Sequence, residues 1–154
     1  MFRELRRQDR VLSKETITEI MENAKYGVLS LADKSGYPYG VPLHYVMDNG
    51  IILFHCSKAE GHKMELLKEN PNVSFTIIET ENGVKSRSVI IFGTVKEVPE
   101  KKQFVLKQLV EKFVPEDEWL QAKSGIHSAV DNVMAFQITW EHISGKWIDK
   151  PEGR

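Results

Sequence analysis

The stretch Phe54-His55-Cys56-Ser57-Lys58-Ala59-Glu60-Gly61-His62-Lys63 gathers the densest set of chemically capable groups in this 154-residue chain. It runs from a strand end through a short loop into the first turn of a helix, a shape that suits an anion. Unpaired N–H groups at a helix start carry a partial positive charge of roughly half an elementary unit. Ser57 can donate a hydroxyl, Gly61 lets a ligand approach the backbone, and Lys58 and Lys63 pair with a phosphate as point charges. The competing reading is structural: Ser57 caps the helix and both lysines are solvated, which the pattern taken alone favours. Strand alternation sends His55 and Ser57 to one face and Cys56 to the other. Cys56 is then best read as an inert core residue, while His55 is either a proton-transfer group or a satisfied half-buried histidine. His44, His55 and His62 with Cys56 lack the spacing of a closed zinc site, so no metal is expected.

Three further stretches have types that could meet a ligand. Tyr37-Pro38-Tyr39-Gly40-Val41-Pro42-Leu43-His44-Tyr45 is unusual for a strand, because two prolines and a glycine weaken the ladder. Either it is a proline-protected edge, or a planar molecule uses its free backbone groups. Lys85-Ser86-Arg87-Ser88 puts Ser86 and Ser88 on one side of a strand start and Lys85 and Arg87 on the other, ordinarily just a wet sheet face. Trp147 could stack on a flat ring or pack in a dimer interface. No Rossmann glycine fingerprint, phosphate-binding Walker loop or nucleophile elbow occurs, which leaves NAD(P)H room only as a transient reductant.

The elements that must hold these groups follow from period and punctuation. Ser13 reads as the N-cap of a helix near Lys14 to Asn23, with Leu12 and Ile17 stapled across it. Strands follow at Tyr26 to Ala32, Tyr37 to Met47 and Ile51 to Cys56, the last pair joined by the hairpin signal Asp48-Asn49-Gly50. A helix from about Glu60 to Glu69 ends at Asn70-Pro71. Strands Val73 to Glu79 and Val84 to Val98 flank Thr80-Glu81-Asn82-Gly83, and Gly93 suggests a bulge. Pro99 opens a helix in which Val105, Leu109 and Phe113 share a face, Pro115 ends it, and Glu116 to Ala122 adds a helical piece. The alternation Met134, Phe136, Ile138, Trp140 closes the chain with a strand. Six strands joined by short turns favour antiparallel pairing. A small six-stranded barrel fits; a flat α/β sandwich remains open.

Size and charge bound the rest. One domain is expected over 1–154: a helix at about 14–23, a barrel at about 26–98 and 133–140, and a helical insertion at about 99–122. The formal net charge of −1 provides no field for nucleic acid or an anionic membrane. With one cysteine, no run long enough for a membrane span and no secretory core after the charged N-terminus, the expected location is cytoplasmic.

The order of these pieces resembles the pyridoxamine 5′-phosphate oxidase-like FMN-binding split barrels, in particular their nitroimidazole-resistance branch. The resemblance rests on Arg7-Gln8-Asp9-Arg10, Tyr26-Gly27-Val28-Leu29-Ser30-Leu31, Gly36 to Leu43, and Leu53-Phe54-His55-Cys56-Ser57. It continues through Gly61-His62-Lys63, Asn70 to Phe75, Ser86 to Gly93 and Ile143-Ser144-Gly145-Lys146. It implies a mainly β, α+β fold: a six-stranded antiparallel split barrel forming a homodimer with FMN at the interface. Pro42, Leu43, His44 and Tyr45 would then lie along the flavin, with Ser57, His62 and Lys63 on its phosphate. Ser86 and Ser88 would line the pocket, His55 and Cys56 would sit beside it with His55 near the reactive ring, and Trp147 would reach in from the other subunit. The implied activity is an FMN-dependent oxidoreductase reducing a small flat acceptor; from its placement alone, His55 is the expected proton donor. A non-catalytic carrier of flavin, deazaflavin or haem is the alternative. The chain lacks the arginine-and-histidine substrate segment of a true pyridoxamine phosphate oxidase, so vitamin B6 synthesis is not expected.

Overall fold

The computed structural model describes residues 2–59, 61–81 and 85–149. Helix α1 (Lys14–Asn23) starts as its sequence requires: the Ser13 hydroxyl accepts the Thr16 N–H at 3.1 Å. Leu12 and Ile17 meet against Gly145, where a Cβ would stand 2.6 Å from Ile17 Cγ1, so that strand position must lack a side chain.

Seven antiparallel strands follow: β1 (Tyr26–Ala32), β2 (Pro38–His44), β3 (Val46–Asp48), β4 (Ile51–Ser57), β5 (Asn72–Glu81), β6 (Lys85–Glu97) and β7 (Val133–Trp147). They form one sheet in the order β2-β1-β5-β6-β7-β4-β3. The two strands at its ends, β2 and β3, are neighbours in the chain, separated only by Tyr45. They are halves of one bent strand, so the sheet curls back on itself as the split barrel expected from the sequence. The seventh strand exists because Tyr45 breaks the segment predicted as Tyr37 to Met47. The hairpin between β3 and β4 turns through Asn49 and Gly50, both at positive φ (49° and 82°), as an Asn-Gly two-residue turn demands.

Helix α2 (His62–Glu69) begins two residues inside the sequence boundary, with Gly61 as its N-cap; Glu60 lies outside the described residues. Between β6 and β7 come a 3₁₀ turn (Pro99–Lys101), α3 (Lys102–Phe113), a second 3₁₀ turn (Glu116–Glu118), α4 (Trp119–Ser124) and α5 (Ile126–Ala129). Asn82 and Gly83 of the predicted β5–β6 turn lie outside the described residues.

Alternation places two apolar layers on the strands. Inside the barrel, Leu29, Phe54, Phe75, Val89, Ile91 and Ile138 pack with Ile20 and Met21 of α1 and Met64, Leu66 and Leu67 of α2. Outside it, Val46, Leu53 and Ala135 pack under Val105 of α3, with Leu109 against them. The expected shared face of α3 is therefore real, and it shields the outer side of β3, β4 and the start of β7. A bulge at Phe92/Gly93 shifts the β6–β7 register. Met134, Phe136 and Ile138 face the core as predicted, but Trp140, at the bulge, is turned out and 47% exposed, its indole N–H on the Gly50 carbonyl.

Candidate functional site

The barrel opens where β2 and β3 part. Among the described residues, β2 pairs only with β1, and β4 from Phe54 to Ser57 pairs only with β7, so each presents a free backbone edge along the split. Continuing the β3–β4 register past Val46↔Leu53 sets His44 opposite His55. Both imidazoles line one cleft of about 450 Å³ beneath α3 and α5. His44 is stacked on Phe113, ring centroids 4.1 Å apart, and His55 Nδ1 is buried with no hydrogen-bond partner among the described residues. Burial first, then the neighbouring Lys63 and His44, hold the His55 imidazole below its ordinary pKa. His55 is consequently neutral at pH 7, which suits it to hydrogen-bond or accept a proton more than to donate one.

At the end of β4 the groups expected to hold an anion lie close in sequence and open to solvent. Ser57 is exposed and does not cap α2; its hydroxyl accepts the Ala59 N–H at 3.2 Å and shapes the loop. Gly61, the N-cap, has no side chain to accept from the first N–H groups of α2; the Met64 N–H is met by the Gly61 carbonyl at 2.9 Å, and among the described residues no side chain caps the His62 and Lys63 N–H groups. His62 is exposed, meets Tyr39 edge-on at 4.9 Å and stands 3.7 Å from Glu65. The half-buried Lys63 acts electrostatically on both His55 and Cys56, which ties the helix start to the split. Cys56 itself turns into the core, its Sγ 3.7 Å from Met64 Sδ and its thiol pushed up by burial. Its side chain therefore offers nothing to a cofactor.

The β2 residues divide by alternation. Pro42 and His44 face outward, whereas Leu43 packs on the barrel core and Tyr45 is fully buried with its hydroxyl donating to the Met21 carbonyl at 2.6 Å. Tyr45 is thus a core residue at the bend of the barrel, not a surface beside a ligand. The paired row Pro42–Val28–Thr76–Ile90–Ser144 crosses the outer face of the sheet. Ser86 and Ser88 share that face with Ile90, so four of the expected residues, Pro42, His44, Ser86 and Ser88, lie on one surface. Ser88 is buried, and the Ser86 carbonyl accepts the Ile148 N–H. Trp147 is turned the other way, packed against the core with the Arg87 guanidinium 5.4 Å from its ring. Within one chain it is apart from the serines.

The model of the pyridoxamine 5′-phosphate oxidase family matches residues 13–147. The chain belongs to that family. No curated protein matches the sequence. Among solved structures, a FAD-binding protein from Mesorhizobium loti is 25% identical, with a TM-score of 0.69 over 91% of this chain and 98% of that one. A 5-nitroimidazole antibiotic resistance protein from Bacteroides thetaiotaomicron is 23% identical, with a TM-score of 0.70 over 90% and 86%. HutZ, the haem storage protein of Vibrio cholerae, is 21% identical, with a TM-score of 0.63 over 84% and 92%.

Against this pyridoxamine 5′-phosphate oxidase fold, the parts of the site that the sequence did not reveal come from the insertion between β6 and β7. Phe113 was legible only as the end of an apolar helix face, and Ile126 and Ala129 belong to α5, whose four residues are too few to show a period. Among the described residues, no helix is long and apolar enough to cross a membrane.

Proposed function

We propose that the protein binds FMN at the split, as a homodimer, and serves as an oxidoreductase for a small flat acceptor. The observation that carries this is the slot itself. Two unpaired strand edges, the neutral and unpartnered His55 and the uncapped start of α2 meet the three needs of a flavin mononucleotide: amide partners, apolar walls and an anion cradle. The residues present fit the group. Ser57, His62 and Lys63 would hold the phosphate, Pro42 and His44 would flank the ring, and the backbone of β4 would meet its polar edge. When bound, FMN supplies a two-electron redox centre, loaded by a reductant such as NAD(P)H. His55 would orient the acceptor and manage a proton at Nδ1, while α3 and α5 exclude water.

The homodimer reading is supported by the outer face of β1, β5 and β6. Tyr26 is 58% exposed and Ile78 54%, both on the face that carries Ser86, Ser88 and Ile90. The N-terminal arm covers only its far side, where Phe2 packs on Phe92 and His142. A second copy on this apolar, weakly polar face would bury the exposed rings and bring Ser86 and Ser88 of one subunit toward the slot of the other.

The decisive experiment is the visible spectrum of the purified protein with mass spectrometry of whatever denaturation releases. FMN supports the proposal; deazaflavin or haem supports the carrier reading, and a colourless protein that refuses added FMN refutes the flavin reading. The double variant Ser57→Ala, Lys63→Ala should lose at least tenfold in FMN affinity, since charge-assisted phosphate bonds are worth roughly 1.5–3 kcal/mol each. Unchanged affinity would remove the anion cradle from the account.

A further inference from the structure

We infer that Lys112 is a covalent attachment point for a small uncharged aldehyde, which it takes as an imine in the cavity between α3 and the β3–β4 hairpin. The site stands apart from the split and does not rest on the flavin reading. The cavity lies between Met47 and Gly50 of the hairpin and Gln108, Glu111 and Lys112 of α3, with Glu22 of α1 beside them. It shares no lining residue with the cleft under α3 and α5. Its volume of about 450 Å³ lies in the range of small-molecule sites, roughly 300–1,000 Å³.

The surroundings of Lys112 hold its nitrogen in place without a counter-ion. Nζ donates to the Tyr45 carbonyl at 2.8 Å and stands 4.1 Å from the centre of the Tyr45 ring. An amine donates the same hydrogen bond as an ammonium, so the placement survives loss of the proton. Among the described residues Lys112 pairs with no carboxylate, whereas its neighbours Lys101 and Lys123 are held by Asp48 and Glu111. Burial brings its pKa down to about 8. At pH 7 about one molecule in ten then carries the free amine, against about one in three thousand for a lysine at 10.5. The free amine is the form that attacks a carbonyl, and a half-desolvated lysine is the kind that forms Schiff bases.

The lining decides the class of electrophile. Glu111 is engaged by Lys123 and Gln108, which leaves Glu22 as the free carboxylate of the cavity. An aldehyde bearing a carboxylate or phosphate would meet that charge, so an uncharged one is favoured. Acylation would strip the nitrogen of its basicity, whereas an imine nitrogen can still take a proton and keep both its contact with the Tyr45 ring and its hydrogen bond to the carbonyl. In the step itself the amine lone pair attacks the aldehyde carbon and the carbonyl π pair passes to oxygen. The carbinolamine then sheds that oxygen as water with the two amine protons, leaving a C=N bond; no electron is gained or lost.

Incubation of the whole protein at pH 7 with 4-(hydroxymethyl)benzaldehyde, trapping of the imine with cyanoborohydride and mapping of the modified lysines by mass spectrometry tests this. Lys112 should be labelled at least tenfold faster than Lys107, an exposed lysine on the same helix, and its rate should saturate with aldehyde concentration as the cavity fills. 4-Formylbenzoate, with the same ring and aldehyde but a carboxylate, should label it at least threefold more slowly. Gln108→Phe, which fills the cavity and leaves Lys112 present, should bring Lys112 down to the Lys107 rate, and Lys112→Met should remove the fast-labelled site. Labelling of Lys112 no faster than Lys107, a rate that stays linear in aldehyde, or equal rates for the two aldehydes overturns the inference, as does undiminished labelling in Gln108→Phe. The first three of these are read on the wild-type protein, so they decide the matter even where a variant fails to fold.

Discussion

Tyr45→Phe removes one oxygen and separates two roles for the residue on which the barrel bends. The hydroxyl donates to the Met21 carbonyl at 2.6 Å, and Tyr45 is fully buried. Met21 lies in the last turn of α1, where carbonyls have no intrahelical donor; only the Ile20 carbonyl is met from the C-cap, by the Ala24 N–H. Deleting the hydroxyl therefore leaves a carbonyl in the core without its partner, while the ring and its edge contact with Phe75 at 5.2 Å remain. A buried group left unsatisfied costs about 1–3 kcal/mol. For a chain of this length that corresponds to a fall in Tm of about 2–12 °C, at roughly 2–4 °C per kcal/mol. Urea unfolding of wild type and variant, with equal m-values, measures the loss, and flavin titration of both proteins measures the ligand side. A stability change below about 0.5 kcal/mol would refute the reasoning that the hydroxyl closes the end of α1. Weakened cofactor binding with stability unchanged would return Tyr45 to the pocket.

Two further outcomes are expected. His55→Ala should retain FMN and slow turnover, and the wild-type rate should fall as pH drops through a value below the ordinary histidine pKa, because burial, Lys63 and His44 keep the working imidazole neutral. Turnover unaffected by the substitution would remove His55 from the mechanism. Burial pushes Lys112 down to about 8, so between that value and about 10.5 the unfolded chain binds more protons than the folded one. Wild-type stability relative to Lys112→Met should rise with pH across that window and be flat below it; denaturation midpoints at pH 7, 9 and 10.5 would show a different slope if the lysine were solvated.

Local signals were legible where one residue type has one physical use. Ser13 capped α1 where its hydroxyl was expected to, Asn49-Gly50 turned the hairpin that its positive φ angles require, and the Asn70-Pro71 stop ended α2 at Glu69. What failed were inferences from a period carried across an irregularity. The alternation through Trp140 is correct up to Ile138, but the bulge opposite Gly93, where an added Cβ would stand 2.9 Å from Trp140 Cα, changes the register. The strand then runs on to Trp147 with Ile143 and Gly145 facing inward. Tyr45 escaped for a similar reason: beside Leu43 and His44 it looked like one more residue of a strand, whereas it is the point at which that strand changes partners.

The same bend explains how a short chain makes both a core and a site. One strand must satisfy two neighbours, β1 and β4, that diverge from each other, and it can do so only by leaving each with a free stretch of edge. Those unpaired backbone groups would be a liability on an exposed sheet. Here, on the side of the split under α3 and α5, the helices crowd the gap without pairing with it, so the edges are screened from other strands while His44 and His55 look into a cleft. The slot is thus a consequence of incomplete closure: a barrel that paired Phe54 to Ser57 on both sides would be more regular and would leave no open backbone edge. The position of His55 follows from the same geometry, since it is the β4 residue that the continued register sets across the gap from His44.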